Sequence, residues 1–185
     1  MRTRRAGQSA LLLLDAIAVL KEQAIDYAVI GAMAASVHGA VRASADADAL
    51  ISVTASRLAR LRSIFKKMGF GTELRRGDVD DPIPAMLLLS DSHGNRVDLL
   101  GGLKGFDPQA FSRTLNVPFS GDTLRIIGRE DFIAMKCFAG GPQHIADAHV
   151  ALRSAEEPVD LDLLRRVTRR FGRAAADVLE HVLAR

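Results

Sequence analysis

The sequence predicts an α+β fold, a mixed β-sheet core flanked by helices with a helical C-terminal part, on three observations. Short apolar runs bounded by Gly, Asp and Asn recur between residues 26 and 127, the pattern of strands. Helical spacing of apolar residues appears between them, as at Leu13, Ile17 and Leu20. From Arg129 onward only helical periodicity is left, broken at Gly140-Gly141-Pro142 and at Gly172. Strands mixed with helices, followed by helices alone, is an α+β order. A chain of 185 residues suits one domain with a small appendage. The expected division is a core with its N-terminal helix at 1–128 and a helical region at 129–185 packed on it.

The elements follow in order. An amphipathic helix begins near Gln8 or Ser9. The preceding Met1-Arg2-Thr3-Arg4-Arg5 and the run Leu11 to Leu14 mimic a secretory leader. Asp15 interrupts that run, no small-x-small cleavage site follows before Lys21, and the run is too short to span a bilayer. A cytoplasmic protein without membrane association is therefore expected. Residues 26–30 form a short strand ended by Gly31, and the Ala-rich stretch 32–38 a short helix stopped by Gly39. A second strand at 47–53 leads to a helix capped by Thr54 or Ser56 and stopped by Gly69. A strand at 70–74 precedes a hairpin of 85–89 and 96–100 around the turn cluster Asp91-Ser92-His93-Gly94-Asn95. A loop then reaches a strand at 123–127. Helices follow at about 130–139, 142–154, 160–171 and 173–183, with Pro142 in a first turn and Asp160 at a cap.

Composition narrows the function. There is no Trp and one Tyr, so platforms for stacking single-stranded bases are not evident. A net charge of +3 suits a polyanionic partner without requiring one. The lone Cys137 excludes an internal disulfide and a Cys-based zinc site, and its neighbours Met135 and Phe138 suggest a buried thiol.

The candidate chemistry lies in carboxylates. Asp-x-Asp occurs three times. Asp78/Asp80 lies between Gly77 and Pro82 and reads as a solvated turn. Asp160/Asp162 opens an apolar-periodic run and reads as a helix cap. Asp46 and Asp48 alone run directly into an apolar strand, where residues at i and i+2 share a face. Paired carboxylates repel unless a cation lies between them, which makes a Mg²⁺ site and phosphate chemistry the leading expectation. Asp98 stands inside the apolar run Val97 to Leu100. A lone acid there is commonly a solvent-facing strand-edge residue, but beside the second strand it would complete a set of three carboxylates. Such a set suits two divalent ions, roughly 3.5–4 Å apart in phosphoryl-transfer enzymes.

These residues resemble the nucleotidyltransferase superfamily typified by DNA polymerase β. The resemblance rests on Gly31-Ala32, Asp46-Ala47-Asp48 and Val97-Asp98-Leu99. It extends to small bacterial nucleotidyltransferases, including those of abortive-infection toxin–antitoxin systems. The segments alike are Gly31-Ala32-Met33-Ala34, His38-Gly39, Arg42-Ala43-Ser44, the stretch Arg129 to Lys136, Ala139-Gly140 and Asp147. It covers about residues 27–150. It implies transfer of an NMP from an NTP to a hydroxyl on an RNA end, a protein or a small molecule, with an antitoxin as a possible partner. It assigns Asp46, Asp48 and Asp98 to two Mg²⁺ ions and to catalysis, Asp98 also activating the acceptor hydroxyl. It assigns Gly31, Ala32, Arg42, Ser44 and Lys136 to the nucleotide. The departures are Ala32 where Gly or Ser is usual, Ser44 where Thr is common, and Gly141-Pro142-Gln143 where relatives often carry a basic residue.

Plainer readings stand beside these. Lys136 on a helix reads as a snorkelling surface lysine, Arg42 as a solvated loop residue and His38 as a helix-end residue near the dipole. His144, Asp147 and His149 lack the arrangement of a zinc site, and Asp147 reads instead as a tether for Lys136 or for a backbone donor. The run Arg165-Arg166, Arg169-Arg170 and Arg173 reads as a solvated face or as a holder of RNA phosphates. The alternatives to an enzyme are a non-catalytic nucleotide-binding regulator and an RNA-binding module.

Overall fold

The computed structural model describes residues 1–154 and 157–184. Helix α1 (Ser9–Glu22) leads to β1 (Tyr27–Val29), α2 (Gly31–Val37), β2 (Asp46–Ile51) and α3 (Ala55–Lys67). Strands β3 (Gly71–Arg76), β4 (Ala85–Ser90) and β5 (Arg96–Leu100) follow, then a 3-10 turn at Pro108–Phe111 and strands β6 (Leu115–Phe119) and β7 (Asp122–Ile126). Helices α4 (Arg129–Ala139), α5 (Pro142–Arg153), α6 (Leu161–Arg169) and α7 (Arg173–Leu183) close the chain. The seven strands form one mixed sheet in the order β3-β4-β5-β2-β1-β7-β6. The predicted α+β class is the one observed.

The sheet has two unlike faces. Leu87, Leu89, Val97, Leu99, Ala47 and Ala49 are buried on one face, beneath α1 and α3. Their neighbours at i±1, which include Met86, Leu88, Ser90, Asp98, Asp46 and Asp48, are half-buried on the other. The parallel pairing of β2 with β5 sets Asp48 opposite Asp98 and Asp46 opposite Arg96. Because side chains alternate with a period of two, that register fixes all three acids on one face. Asp98 is therefore interior to the sheet, between β4 and β2, and not a strand-edge residue.

Several elements differ from expectation. Strand β2 begins at Asp46, so both acids lie within it. Strand β6 falls where a loop is expected; it contains Pro118 and forms a sheet edge, the position a strand proline tolerates. Helix α1 is not simply amphipathic, since Leu12, Leu13 and Leu14 are all buried. The chain before it covers its outer side: the Arg2 backbone N–H donates to Asp15 (2.7 Å), and Thr3 is buried. Asn95, in the hairpin turn, fastens the same segment by accepting from the Gln8 N–H (2.6 Å) and donating to the Arg5 carbonyl (2.9 Å). No helix among the described residues is long and apolar enough to cross a membrane.

Other readings agree with the structure. Thr54 accepts from the Arg57 N–H (3.3 Å) and Asp160 from the Leu163 N–H (2.9 Å), both as helix caps. Asp78 accepts from the N–H groups of Asp80 (3.0 Å) and Asp81 (2.9 Å), an Asx turn. Cys137 is buried, and burial pushes its thiol up to about 11.

Gly31 joins the sheet to the site. It carries φ +63° between β1 and α2, and a Cβ there would lie 2.0 Å from Asp48 Oδ2. Backbone and side chain thus both demand glycine. Gly31→Ala is expected to lower stability by about 2–4 kcal/mol in urea denaturation, combining a strained φ with displacement of a packed carboxylate.

Candidate active site

Asp46, Asp48 and Asp98, on one sheet face, each line a different hollow. Asp48 lines a cleft of about 360 Å³ with Gly31, Arg42, Lys136 and His144. Leu103, Met135 and Phe138 supply its apolar wall. Asp98 lines a groove of about 400 Å³ on β3, β4 and β5. Asp46 lines a smaller hollow of about 140 Å³ with Ala32, Arg42 and Ser44. The fold thus brings every sequence-predicted site residue to the margin of one carboxylate cluster.

The carboxylates perturb one another. Burial, then the neighbouring charges of Asp98 and Asp46, push the Asp48 carboxyl up to about 6 against the pull of Arg42 and Lys136. Burial and Asp46 likewise raise Asp98, opposed by Arg75 and Arg96. Oxygen donors carrying uncompensated negative charge are the chemistry a hard divalent cation takes. Among the described residues, however, no group of three or more His, Cys, Asp or Glu is arranged to hold a metal ion. The acids share a face without closing into a ligand cage.

Lys136 is no surface lysine. It is 6% exposed, and its Nζ donates to Asp147 Oδ2 at 2.7 Å. It also lies over the Phe132 ring, 5.0 Å from the centroid. Asp147 is thus the tether the sequence suggested. Gln143 Nε2 donates to its other oxygen (2.9 Å), and Arg42 Nε lies 3.5 Å from Oδ2. Burial alone would raise the Asp147 carboxyl; its Lys136 and Gln143 hydrogen bonds outweigh that and hold it below the ordinary range. His144 Nδ1 is 3.5 Å from Lys136 Nζ. Burial and then the lysine charge lower its pKa, so it stands as a neutral imidazole. Arg42 is half-buried rather than solvated.

The remaining candidates fall into structural places. Ser44 Oγ accepts from the Asp46 N–H at 3.4 Å, at the entrance to β2. Ala32 is buried, with its carbonyl accepting from Ser36 Oγ (3.0 Å). His38 is buried, not a free helix end: its Nε2 meets the Ile127 carbonyl (2.9 Å), its ring centroid is 5.0 Å from that of Phe132, and burial lowers its pKa. In the arginine-rich helices, Arg165 pairs with Glu180 (2.9 Å) and Arg170 donates to the carbonyls of Gly105 and Phe106 (both 3.3 Å). That ties part of the expected RNA-holding face to the protein itself.

The solved structures similar to this chain point one way. No protein-family model and no curated protein sequence matches it. The antibiotic-resistance factor ANT(2'')-Ia in its solution structure is similar with a TM-score of 0.60 at 13% identity, covering 95% of this chain and 97% of that one. ANT(2'')-Ia in complex with adenylyl-2''-tobramycin gives a TM-score of 0.57 at 14% identity, over 87% and 95% of the two chains. An antigenic nucleotidyltransferase-like protein from Paracoccidioides brasiliensis gives 0.52 at 14% identity, over 99% and 96%. The chain has the nucleotidyltransferase fold. In this nucleotidyltransferase fold, sequence reasoning passed over the contact of Gln143 with Asp147 and, Asp98 apart, the residues of the β3–β5 groove. The alternation of Glu73 and Arg75 along β3 was the available signal.

Two measurements probe the site. An ordinary aspartate titrates near 3.9, so between about pH 4 and 6 the folded protein keeps a proton on Asp48 that the unfolded chain has lost. Stability therefore falls as pH rises through this window. With chelator present, Asp48→Asn is expected to stabilise the protein by roughly 1–3 kcal/mol at pH 7 and by nothing below about pH 4, read from urea midpoints. Lys136→Met should cost about 2–4 kcal/mol by stranding the buried Asp147, and adding Asp147→Asn should recover most of that loss.

Proposed function

We propose that the protein is a Mg²⁺-dependent nucleotidyltransferase that moves an NMP from an NTP to a hydroxyl acceptor and releases pyrophosphate. The observation that carries this reading is the in-register placement of Asp48 opposite Asp98, with Asp46 on the same face. The fold it shares with an antibiotic-resistance factor seen with adenylyl-2''-tobramycin supports the class of reaction. The lincosamide antibiotic adenylyltransferase LnuA, solved with lincomycin bound, is a further neighbour at a TM-score of 0.50 and 11% identity, covering 83% of this chain and 100% of that one.

The residues divide the work. Asp46, Asp48 and Asp98 would hold the magnesium, whose bound charge offsets the phosphate negative charge and favours ionisation of the attacking hydroxyl. Asp98 faces the open groove, so it receives the acceptor's proton. The nucleotide occupies the cleft beside Asp48. There Lys136 and Arg42, gathered by Asp147, supply positive charge for the phosphates as charge shifts onto the departing pyrophosphate. Leu103, Met135 and Phe138 offer the base an apolar wall. A small-molecule hydroxyl is the acceptor in this proposal. An RNA end, a protein side chain and an antitoxin partner have no counterpart in the names of these neighbours.

One observation favours nucleotide binding without transfer. The three acids do not close into a ligand cage. Pyrophosphate release from Mg²⁺–NTP in the presence of hydroxyl acceptors decides between the readings. Release is expected, with Asp48→Asn and Asp98→Asn each slowing it about 10²–10³-fold. NTP binding with no release would establish the regulatory reading, and failure to bind Mg²⁺–NTP would exclude both.

A further inference from the structure

The groove on the far side of Asp98 has a chemistry of its own. Register places Glu73 beside Leu88, Leu88 beside Asp98, and Asp98 beside Asp48, in one row across four strands. Arg75 pairs with Met86, and Arg96 with Ser90, in the flanking rows of the same face. The groove of about 400 Å³ is lined by Thr72, Glu73, Arg75, Ser90, Arg96 and Asp98 around a leucine floor. Arg75 and Arg96 both act electrostatically on Asp98. Arg75 is held by Glu73 (2.7 Å) at 58% exposure, so its guanidinium stays open to solvent.

We infer that this groove is the acceptor subsite and takes a small phosphorylated sugar or polyol, whose phosphate meets Arg75 and Arg96 while a neighbouring hydroxyl faces Asp98. The inference rests on the nucleotidyl-transfer reading and names its acceptor. Two guanidiniums flank Asp98, and Arg75, although paired with Glu73 on one edge, keeps its outer N–H groups open, an arrangement that matches a molecule with an anion set beside a hydroxyl. Glu73 and Ser90 add hydrogen-bonding groups that sugar hydroxyls need. No aromatic side chain lines the groove, so it lacks the stacking platform a nucleobase takes, which disfavours an RNA end. The volume suits a small molecule rather than a polymer. In the transfer, the acceptor oxygen bonds to the α-phosphorus of the NTP, the bond from that phosphorus to the bridging oxygen breaks, and pyrophosphate leaves. The hydroxyl proton passes to the Asp98 carboxylate.

The test has two arms on the full chain. In the first, Kd is measured without nucleotide for ribose 5-phosphate, ribose, a short oligoribonucleotide and tobramycin. Ribose 5-phosphate should bind at least tenfold tighter than ribose, and Arg75→Gln/Arg96→Gln should remove that preference, with an unchanged thermal midpoint showing the variant is folded. Absence of the preference, or its survival in the double variant, overturns the inference. So does tighter binding of the oligoribonucleotide or of tobramycin. In the second, pyrophosphate release is followed with Mg²⁺–NTP. The double variant should raise the acceptor KM at least tenfold and leave the Kd of Mg²⁺–NTP unchanged. Preferential binding of ribose 5-phosphate with no release from any acceptor would refute the transfer reading and, with it, the acceptor role. Release with an unaltered acceptor KM in the variant would refute the acceptor assignment alone.

Discussion

The parallel, in-register pairing of β2 with β5 is the constraint on which the rest depends. It puts Asp48 opposite Asp98 and keeps Asp46 on the same face. A slip of one residue would turn the acids into the core and expose Ala47, Val97 and Leu99. The buried face prevents that slip, because α1 and α3 cover an apolar layer that has only one good register. Packing on one side of the sheet therefore holds repelling charges together on the other. Burial, and then that repulsion, push the Asp48 carboxyl up to about 6. Gly31 leaves the carboxylate room that any other residue would fill. The fold accepts a local destabilisation at its centre, as functional sites commonly do.

A second balance answers the first. Asp147, 2% exposed, is a buried anion. It holds Lys136 directly and Arg42 nearby, two cations that would otherwise repel each other. Both reach Asp48 electrostatically. In the segment Gly141-Pro142-Gln143, Gln143 adds a further hydrogen bond to Asp147.

Much of this was legible along the chain. The hairpin of β4 and β5, the caps at Thr54 and Asp160, and the helical C-terminal part follow from periodicity and turn chemistry, which are local. What escaped is non-local. Pro118 hid β6 because a proline disqualifies a central strand, and only sheet order reveals an edge. Lys136 looks like any helix lysine until Asp147, eleven residues on, is folded against it. Leu12 to Leu14 look like one face too many until the N-terminal segment covers α1. The convergence of Asp98 with Asp46 and Asp48 needed the strand order, which spacing does not carry; resemblance to a known family supplied it. Glu73 and Arg75 read as an ordinary strand, since which sheet face stays uncovered is a tertiary fact.

The two sides of the carboxylate row separate what the fold shares from what this chain adds. On one side the Gly31 approach and the Lys136–Asp147 pair shape a cleft with apolar walls. On the other, the β3–β5 face is charged and open. Similarity to solved nucleotidyltransferase structures at 11–14% identity speaks for the scaffold and leaves side chains free to differ. Difference should concentrate where it does not disturb the register. The residues on β3 meet that condition, because their strand is a sheet edge, and substitutions at Glu73 or Arg75 leave the β2–β5 pairing intact. The same argument forbids such freedom at Gly31 and Asp48, where one added carbon meets a carboxylate. Side chains along the sheet edge can therefore change while the carboxylate geometry, fixed by the core beneath it, stays as it is.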